Sequence, residues 1–247
     1  MLFFKDFEKT DYRFGNEDFP IIFQNLTVYS DVVDQIKNNI SFYNLLHIND
    51  GFRPDQMSIR LYGTPIYYWT FYLLNDKLRL QGWPLSGNEL DVKIKKEFPN
   101  TTVTTKESIA TKFKVGRTLV GSESGASGKI LHRNLDLGQI TVEGVHTFKI
   151  NPNPEAVTNT FPSAGGTTTE TVTISNFSEE YNAAHHYEDA SGKTVDIDPA
   201  VGPGAQLTEV TNYDYYYNQN EALRDIKVIR PEHIVELVAS YKRSVRG

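Results

Sequence analysis

The clearest hydrophobic pattern in the chain predicts a strand followed by two helices. Ser41 to Ile48 is an apolar run of strand length, bounded by a turn-forming Asn-Asp-Gly sequence. A short helix is predicted to begin at Pro54 and to end at Gly63, because glycine readily adopts the left-handed conformation found just past a helix end. Thr64 and Pro65 predict the start of a second helix, since threonine can cap free amides and proline fits the first helical position. Two helices are therefore expected to meet at one tight corner.

The second predicted helix, from Pro65 to about Asn75, is apolar on nearly all sides. Such a helix needs cover on several sides, which indicates that another protein supplies some of it. Farther on, apolar and polar residues alternate over Glu89–Glu97 and predict an antiparallel strand. Residues 41–98 are therefore expected to form a strand-helix-helix-strand module.

The middle of the chain is predicted to be mainly β-structure and loops. Residues 111–150 place apolar pairs between glycine-containing turns, which is typical of short strands in a small barrel or sandwich. His185–Asp198 predicts a hairpin with its turn at Ala190–Gly192. The Thr-rich residues 99–110 predict a linker, and residues 151–176 predict an exposed insertion with little core.

Each end of the chain is expected to contribute an arm and a helix. Near the N-terminus, Ser30 is the predicted cap of a helix with Val33, Ile36 and Ile40 at helical spacing. A C-terminal helix is predicted from Pro231 to about Arg243, and its apolar stripe consists of Ile234, Leu237, Val238 and Tyr241.

The expected fold class is α+β, and the chain is expected to divide into six parts. They are an N-terminal arm and short helix (1–40), the strand-helix-helix-strand module (41–98), a linker (99–110), a small β-barrel or sandwich (111–150), an insertion and hairpin (151–210), and a C-terminal arm and helix (211–247).

Composition favours a protein that works by contact with other proteins. The 247 residues include 14 Tyr and 14 Phe, which are large contact-forming side chains. The net charge of -6 argues against nucleic acid as the main partner. With no cysteine, the chain can form neither disulfides nor thiolate metal sites. We expect no secretion signal and no membrane span, and hence production in a cytosol.

Two motif-like segments lack the residue that their chemistry requires. Gly192-Lys193-Thr194 resembles the end of a phosphate-binding loop, but Tyr187 stands where that motif needs glycine. The Gly121–Gly125 segment resembles a nucleophile elbow, but Glu123 takes the place of the serine. Both segments are better interpreted as turns.

The histidines give no clear metal site. None of the six shows the i, i+4 helical spacing with a carboxylate that zinc hydrolases use. His185 and His186 are adjacent on a predicted strand, so their side chains are expected to point to opposite faces and not to share a metal easily. We therefore predict no catalytic residues, no metal ligands, no cofactor and no enzymatic activity.

The helix corner and the C-terminal segment together resemble a known family. The first set of matching residues is Asp50, Gly51, Arg53, Pro54, Asp55, Leu61, Tyr62, Gly63, Pro65, Trp69, Asn75, Trp83 and Pro84. The second set is Asn220, Glu221, Arg224, Ile226, Lys227, Val228, Arg230, Pro231 and Glu232. The first set is similar to the LysM-like module of phage tail proteins. Both sets, with Phe113–Gly128 and His185–Tyr187, resemble the baseplate wedge protein fifty-three family of T-even-like contractile-tailed phages.

The resemblance implies a structural, non-enzymatic subunit of the virion tail baseplate. Its implied partners are other wedge subunits, in a hetero-oligomer with six-fold symmetry that is made and assembled in the host cytoplasm. Neither nucleic acid nor a membrane is an implied partner.

Nine side chains are the candidate interaction residues: Tyr62, Pro65, Tyr68, Trp69, Tyr72, Trp83, Ile234, Leu237 and Tyr241. The alternative is that Trp69, Phe71, Trp83 and Tyr62 simply form the core of the module itself. A competing hypothesis is the binding of peptidoglycan or chitin, for which LysM modules use the loops that here span Asn49–Arg53 and Asn75–Trp83. A third hypothesis, a cell-wall hydrolase, lacks catalytic residues to support it.

Overall fold

The computed structural model describes residues 7–15, 19–25 and 31–246. They form both helices and strands, which confirms the α+β class. Two compact units are present: unit 1 combines Met1–Gly87 with Asn220–Gly247, and unit 2 is Asn88–Gln219. In chain order the elements are β1 (Lys9–Tyr12), β2 (Ile21–Gln24), α1 (Asp31–Asn38), β3 (Tyr43–His47), α2 (Pro54–Tyr62), a 3-10 turn (Pro65–Tyr67), α3 (Trp69–Leu74), α4 (Asp76–Gln81), α5 (Gly87–Glu97), β4 (Thr101–Thr105), β5 (Thr118–Gly121), β6 (Ser127–Asn134), β7 (Gln139–Val142), β8 (Ala156–Ser163), β9 (Gly166–Glu179), a 3-10 turn (Glu180–Asn182), β10 (Ala184–Glu188), β11 (Thr194–Val195), β12 (Thr208–Thr211), α6 (Asn212–Glu221), β13 (Asp225–Ile229), a 3-10 turn (Pro231–His233) and α7 (Ile234–Arg246).

The helix corner of unit 1 forms as predicted. α2 ends at Gly63, which adopts a left-handed conformation with φ 71°, and Thr64 caps the next turn by accepting a hydrogen bond from the Ile66 N–H at 3.5 Å. The second predicted helix, however, is divided into a 3-10 turn and α3. The prediction of a loop over Asn75–Trp83 is wrong, because α4 occupies most of these residues.

The strand pair of unit 1 joins segments that are distant in sequence. β3 pairs antiparallel with β13, from Tyr43 opposite Ile229 to His47 opposite Asp225. The predicted first strand is therefore confirmed, but its partner comes from the C-terminal segment. Local periodicity carries no information about such a long-range pairing.

The prediction of a strand over Glu89–Glu97 is wrong, because α5 covers these residues. Leu90 and Ile94 are both buried, whereas Val92 between them is 66% exposed. An alternating pattern contains positions i and i+4, which also lie on one face of a helix. The Asp91–Lys95 salt bridge at 3.0 Å has the same helical spacing.

The core of unit 1 consists of two apolar clusters with α3 between them. Phe71 belongs to the first cluster, with Ile48, Met57, Leu78, Leu223, Ile226 and Val228. Trp69 and Leu74 belong to the second, with Phe7, Val33, Ile36, Ile229, Ile234, Val238, Tyr241 and Val245. The apolar surface of this helix is thus covered largely by the chain itself.

The terminal helices follow the sequence pattern in part. α7 buries Ile234, Val238 and Tyr241 as predicted. In α1, Val33 and Ile36 are buried, but Ile40 lies beyond the helix end and is exposed, so its assignment to the apolar stripe is wrong. The predicted cap, residue 30, lies outside the described residues.

Unit 2 contains a closed antiparallel barrel in the order β4-β7-β6-β5-β8-β9, with β9 paired to β4. Its core combines Val103, Ile109, Phe113, Leu119, Ile130, Ile140, Val142, Phe148, Val157, Val172 and Ile174. The barrel therefore extends on both sides of residues 111–150, to which the glycine-rich pattern assigned it.

Two Thr-rich segments that were predicted to be a linker and an insertion are barrel strands. β4 lies within residues 99–110 and is mostly buried, and β8 and β9 bury Val157, Val172 and Ile174 within residues 151–176. Buried threonine hydroxyls are compatible with this core because they are hydrogen bonded, as in the Thr102–Thr141 pair at 2.9 Å. Both predictions are wrong because β-branched threonine suits strands as well as loops.

A three-stranded sheet in the order β11-β10-β12 completes the strands of unit 2. The predicted hairpin is confirmed: β10 pairs with β11, and Gly192 in the turn has φ 77°. The turn is held by the Asp189 carboxylate, which accepts hydrogen bonds from the backbone N–H groups of Ser191 and Lys193.

The segment that resembles a nucleophile elbow is a turn that binds a buried carboxylate. Glu155 is 1% exposed and accepts backbone hydrogen bonds from Glu123, Ser124 and Lys149 at 2.7–2.9 Å. Burial alone raises the pKa of this carboxyl, but the hydrogen bonds from the Ser124 hydroxyl and the three N–H groups outweigh it and lower the pKa below its ordinary value. The ionised form is therefore favoured by folding.

We expect Glu155→Gln to lower the free energy of unfolding by about 1–3 kcal/mol at pH 7, because one N–H donor then meets an amide NH₂ group. Since the folded-state pKa is depressed, the contribution is present above the ordinary carboxyl pKa and is lost as the pH falls through the folded-state value. Urea denaturation from pH 7 to pH 3 should show the wild type approaching the variant at acid pH. A constant difference over this range would contradict the assignment.

Candidate interaction surface

The structure places the predicted interaction residues mainly inside unit 1. Trp69 is only 8% exposed and its ring lies 5.5 Å from that of Tyr241, which is buried together with Ile234. Half-buried positions are occupied by Tyr62, Tyr68, Tyr72, Trp83 and Leu237, and Pro65 is exposed. Three of the nine thus serve the core, and for Trp69 this agrees with the alternative drawn from the sequence.

The polar groups of two half-buried rings also form hydrogen bonds within unit 1. The Tyr62 hydroxyl donates to the Ile229 carbonyl at 2.9 Å, and the Trp83 Nε1–H donates to the Phe52 carbonyl at 2.7 Å. Trp83 also packs against Phe71 and Tyr72. In this conformation the indole of Trp83 is engaged by its own chain, in the loop that a LysM module would offer to a sugar.

Arg224, one of the residues that carry the resemblance, is a buried crosslink. It is 5% exposed, and its guanidinium donates to the carboxylates of Asp50 and Glu221 at 2.8 and 2.7 Å. It also donates to the carbonyls of Ile48 and Leu85 at 3.3 and 3.2 Å. The group therefore ties the C-terminal segment to the loop that follows β3.

Asn75, another residue of the resemblance, covers one edge of the strand pair. Its side-chain amide donates to the Lys227 carbonyl and accepts from the Lys227 N–H, both at 2.8 Å. These two bonds reproduce the pairing that a further strand would make. Asn75, at the junction of α3 and α4, therefore covers this edge of β13.

The opposite edge, along β3, is not paired with a strand of the described part of the chain, although the Tyr43 carbonyl at its start accepts a hydrogen bond from the Arg230 Nε–H at 3.4 Å. The Ile48 N–H donates to the Arg224 carbonyl, and the Arg230 N–H donates to the Phe42 carbonyl. In an antiparallel ladder, residues bonded in this way alternate with residues whose backbone groups point away from the partner strand. The N–H and C=O groups of Leu45 therefore point away from β13. The Leu45 side chain is 76% exposed, so an edge and an apolar group lie together.

The most apolar exposed feature of unit 1 is the hairpin of β1 and β2, which we call the N-terminal ribbon. Its register pairs Tyr12 with Ile21 and Thr10 with Phe23, so these four side chains share one face. Phe14 extends that face, with its ring 5.0 Å from Tyr12 and 5.6 Å from Phe23. All of these residues are exposed, Tyr12 at 56%.

The ribbon is amphipathic and is attached to the core at its start. Lys9, Asp11 and Gln24 occupy the opposite face together with Ile22, while Phe7, just before β1, is buried in the second core cluster. A two-stranded ribbon has little stability on its own, and its apolar face gains cover only from another surface. The sequence predicted an N-terminal arm here, and because neither Lys9–Tyr12 nor Ile21–Gln24 alternates apolar with polar residues, its ribbon form had no clear local signal.

Unit 2 holds a cavity of about 200 Å³ lined by residues of the barrel, of the β10–β12 sheet and of the loop between β11 and β12. In its wall the Tyr187 hydroxyl donates to the Glu209 carboxylate at 3.1 Å. Burial raises the pKa of Tyr187 to about 12, and the negative charge of Glu209 and the hydrogen bond to its carboxylate contribute to this rise. The phenol therefore stays protonated at neutral pH and acts as a hydrogen-bond donor.

Over residues 7–15, 19–25 and 31–246, no group of three or more His, Cys, Asp or Glu side chains could hold a metal ion. Among the helices of these segments, none combines the length and the apolar character needed to cross a membrane.

The prediction that His185 and His186 point to opposite faces is wrong. The pairing of β10 with β12 shifts between Ala184 and His186, and this irregularity brings the two rings together with their Nδ1 atoms 2.8 Å apart. A shift in register is set by the partner strand and cannot be derived from the spacing of the histidines.

An aromatic ribbon and an open strand edge are features of a protein that binds other proteins. Comparison with protein families agrees with this class: residues 1–91, which include the ribbon, β3 and α2 to α4, match the family model described as base plate wedge protein 53. The family resemblance drawn from the sequence is thus confirmed over residues 1–91, without its LysM-like part, and the match supports a structural role in the virion tail baseplate. A search of curated proteins finds no match.

Proposed function

We propose that the protein is a structural subunit of a phage tail baseplate wedge that joins neighbouring wedge subunits during assembly. In this proposal it acts without catalysis, within a six-fold hetero-oligomer that is made and assembled in the host cytoplasm. The observation that carries the proposal is the exposed aromatic face of the N-terminal ribbon, which lies inside the segment that matches the wedge family.

The ribbon supports a protein partner through its geometry. Aromatic rings are enriched at protein interfaces because they bury a large area at a small cost in side-chain entropy. Tyr12, Phe14, Ile21 and Phe23 form a continuous face of this kind, and Phe19, 81% exposed, adds to the apolar surface of the same segment. The open edge of β3 offers a second contact, at which an extended segment of a partner would add a strand.

The contacts of unit 1 support the binding of peptidoglycan or chitin less well than they support the binding of a protein. The Asp50 carboxylate is bound to Arg224 and accepts from the Gly87 N–H, and Asn75 is bound to β13. A sugar would have to compete with these internal hydrogen bonds. The LysM-like character of the module stays a prediction.

We expect a Phe14→Ser, Phe23→Ser double variant to bind the other wedge subunits at least about tenfold more weakly, since two exposed rings of the ribbon are removed. Its stability should remain within about 0.5 kcal/mol of the wild type because neither ring is buried. Size-exclusion chromatography of the mixed subunits measures assembly, and urea denaturation measures stability.

The matched control is Lys9→Ser with Gln24→Ser on the opposite face, which should assemble normally. Hydrogen exchange gives an independent test: the amides of β1 and β2 should exchange quickly in the free chain and become protected on mixing. Normal assembly of the double variant, or strong protection of these amides in the free chain, would count against the proposal.

A further inference from the structure

Two adjacent histidines of unit 2 bring one nitrogen of each ring within hydrogen-bond distance of the other. His185 and His186 lie at the register shift of β10, and their Nδ1 atoms are 2.8 Å apart. The ring planes are inclined at 81°, so the rings meet edge to face instead of stacking. Two imidazole nitrogens that approach in this way share either a proton or a metal ion.

A carboxylate fixes the tautomer of the second ring. The His186 Nε2 atom lies 2.9 Å from Glu188 Oε1, and an ionised carboxylate only accepts hydrogen bonds. Nε2 therefore carries the hydrogen, and the neutral ring has its lone pair on Nδ1, facing His185. A carboxylate on the far nitrogen is the arrangement that orients metal-binding histidines.

The first ring is positioned by stacking. His185 lies parallel to Tyr215, with 3.9 Å between ring centroids and 11° between planes. His185 is exposed, whereas the His186 side chain is 16% exposed, so one side of the pair is open to solvent.

We propose that the Nδ1 atoms of His185 and His186 form a bidentate site for a divalent transition metal, with Cu²⁺ and Ni²⁺ preferred. For metal–nitrogen bonds of about 2.0–2.1 Å, two ligands at 90° lie about 2.9 Å apart, and two ligands at the tetrahedral angle lie about 3.3 Å apart. The observed 2.8 Å fits the right angle, which square-planar and tetragonal ions adopt. When a metal binds, the hydrogen on His185 Nδ1 moves to the Nε2 atom of the same ring by exchange with solvent, so both rings stay neutral, and water fills the remaining positions on the metal.

The site goes beyond the proposed assembly role and is tested on the full chain. Isothermal titration with CuCl₂ or NiCl₂ should give one site per chain, and Cu²⁺ electron paramagnetic resonance should show two imidazole nitrogens. We expect His185→Phe, which keeps a ring against Tyr215, to weaken Cu²⁺ binding at least about tenfold. Glu188→Ala should weaken it about tenfold or more through the orientation of His186.

His132→Phe is the matched control, because His132 is an exposed strand histidine outside the pair. It should bind Cu²⁺ as the wild type does, and circular dichroism should show that all variants are folded. Equal Cu²⁺ affinity in the wild type and His185→Phe, a spectrum with one bound imidazole, or no binding at millimolar metal would each overturn the proposal. Tighter binding of Zn²⁺ than of Cu²⁺ would overturn the geometric preference.

Discussion

Replacement of Arg224 by methionine is expected to lower the free energy of unfolding by about 1–3 kcal/mol. The guanidinium bridges the carboxylates of Asp50 and Glu221 and two backbone carbonyls while almost fully buried. Methionine fills a similar volume but donates no hydrogen bond, so the buried carbonyls of Ile48 and Leu85 lose a donor. Urea denaturation followed by tryptophan fluorescence reports on unit 1, which contains both tryptophans, Trp69 and Trp83.

The control for this change is Arg79→Met. Arg79 pairs with Asp76 at 2.8 Å, but both side chains are more than half exposed, so the loss should be within about 0.5 kcal/mol. Arg224→Lys keeps the charge but not the planar fork, and it should fall between the wild type and Arg224→Met. A loss for Arg224→Met no larger than that for Arg79→Met would show that the crosslink does not stabilise the fold.

The second large effect is expected for Trp69→Ala, which should cost about 3–5 kcal/mol. The indole lies in the second core cluster of unit 1 and packs against Tyr241 of α7. Its removal leaves a cavity that the two surrounding helices can close only in part. The change therefore weakens the attachment of the C-terminal helix to the rest of the unit.

Ile66→Ala provides the comparison, because this residue lies three positions earlier in the same apolar segment and is exposed. Its loss in the free chain should be small, within about 0.5 kcal/mol. Thermal or urea unfolding of both variants measures the difference. A loss below about 1 kcal/mol for Trp69→Ala would show that this ring is not a core residue.

These two changes concern stability, whereas the candidate contact lies elsewhere. The sequence suggested the second helix as the contact because its apolar residues exceed what a small module can cover. The cover comes from α7 and β13, which join the module from the other end of the chain. The exposed aromatic surface is found instead on the ribbon before α1, whose two strands have no core of their own.

Structural features that depend on only a few neighbouring residues were predicted correctly from the sequence. The end of α2 at Gly63 and the cap at Thr64 depend on backbone angles and one local hydrogen bond. The turn at Gly192 is of the same kind, because a positive φ selects glycine without any distant partner. Family resemblance added the baseplate class, which the residues alone could not have supplied.

The sequence by itself thus determined the α+β class, the helix corner, the C-terminal helix and the hairpin of unit 2. Only the tertiary structure decided which strand pairs with β3, whether Leu90 and Ile94 lie on a helix, and whether Thr-rich segments enter a barrel. It also decided that His185 and His186 meet. In each of these cases the pattern suited two conformations about equally, and the choice was made by burial and pairing with residues far away in the chain.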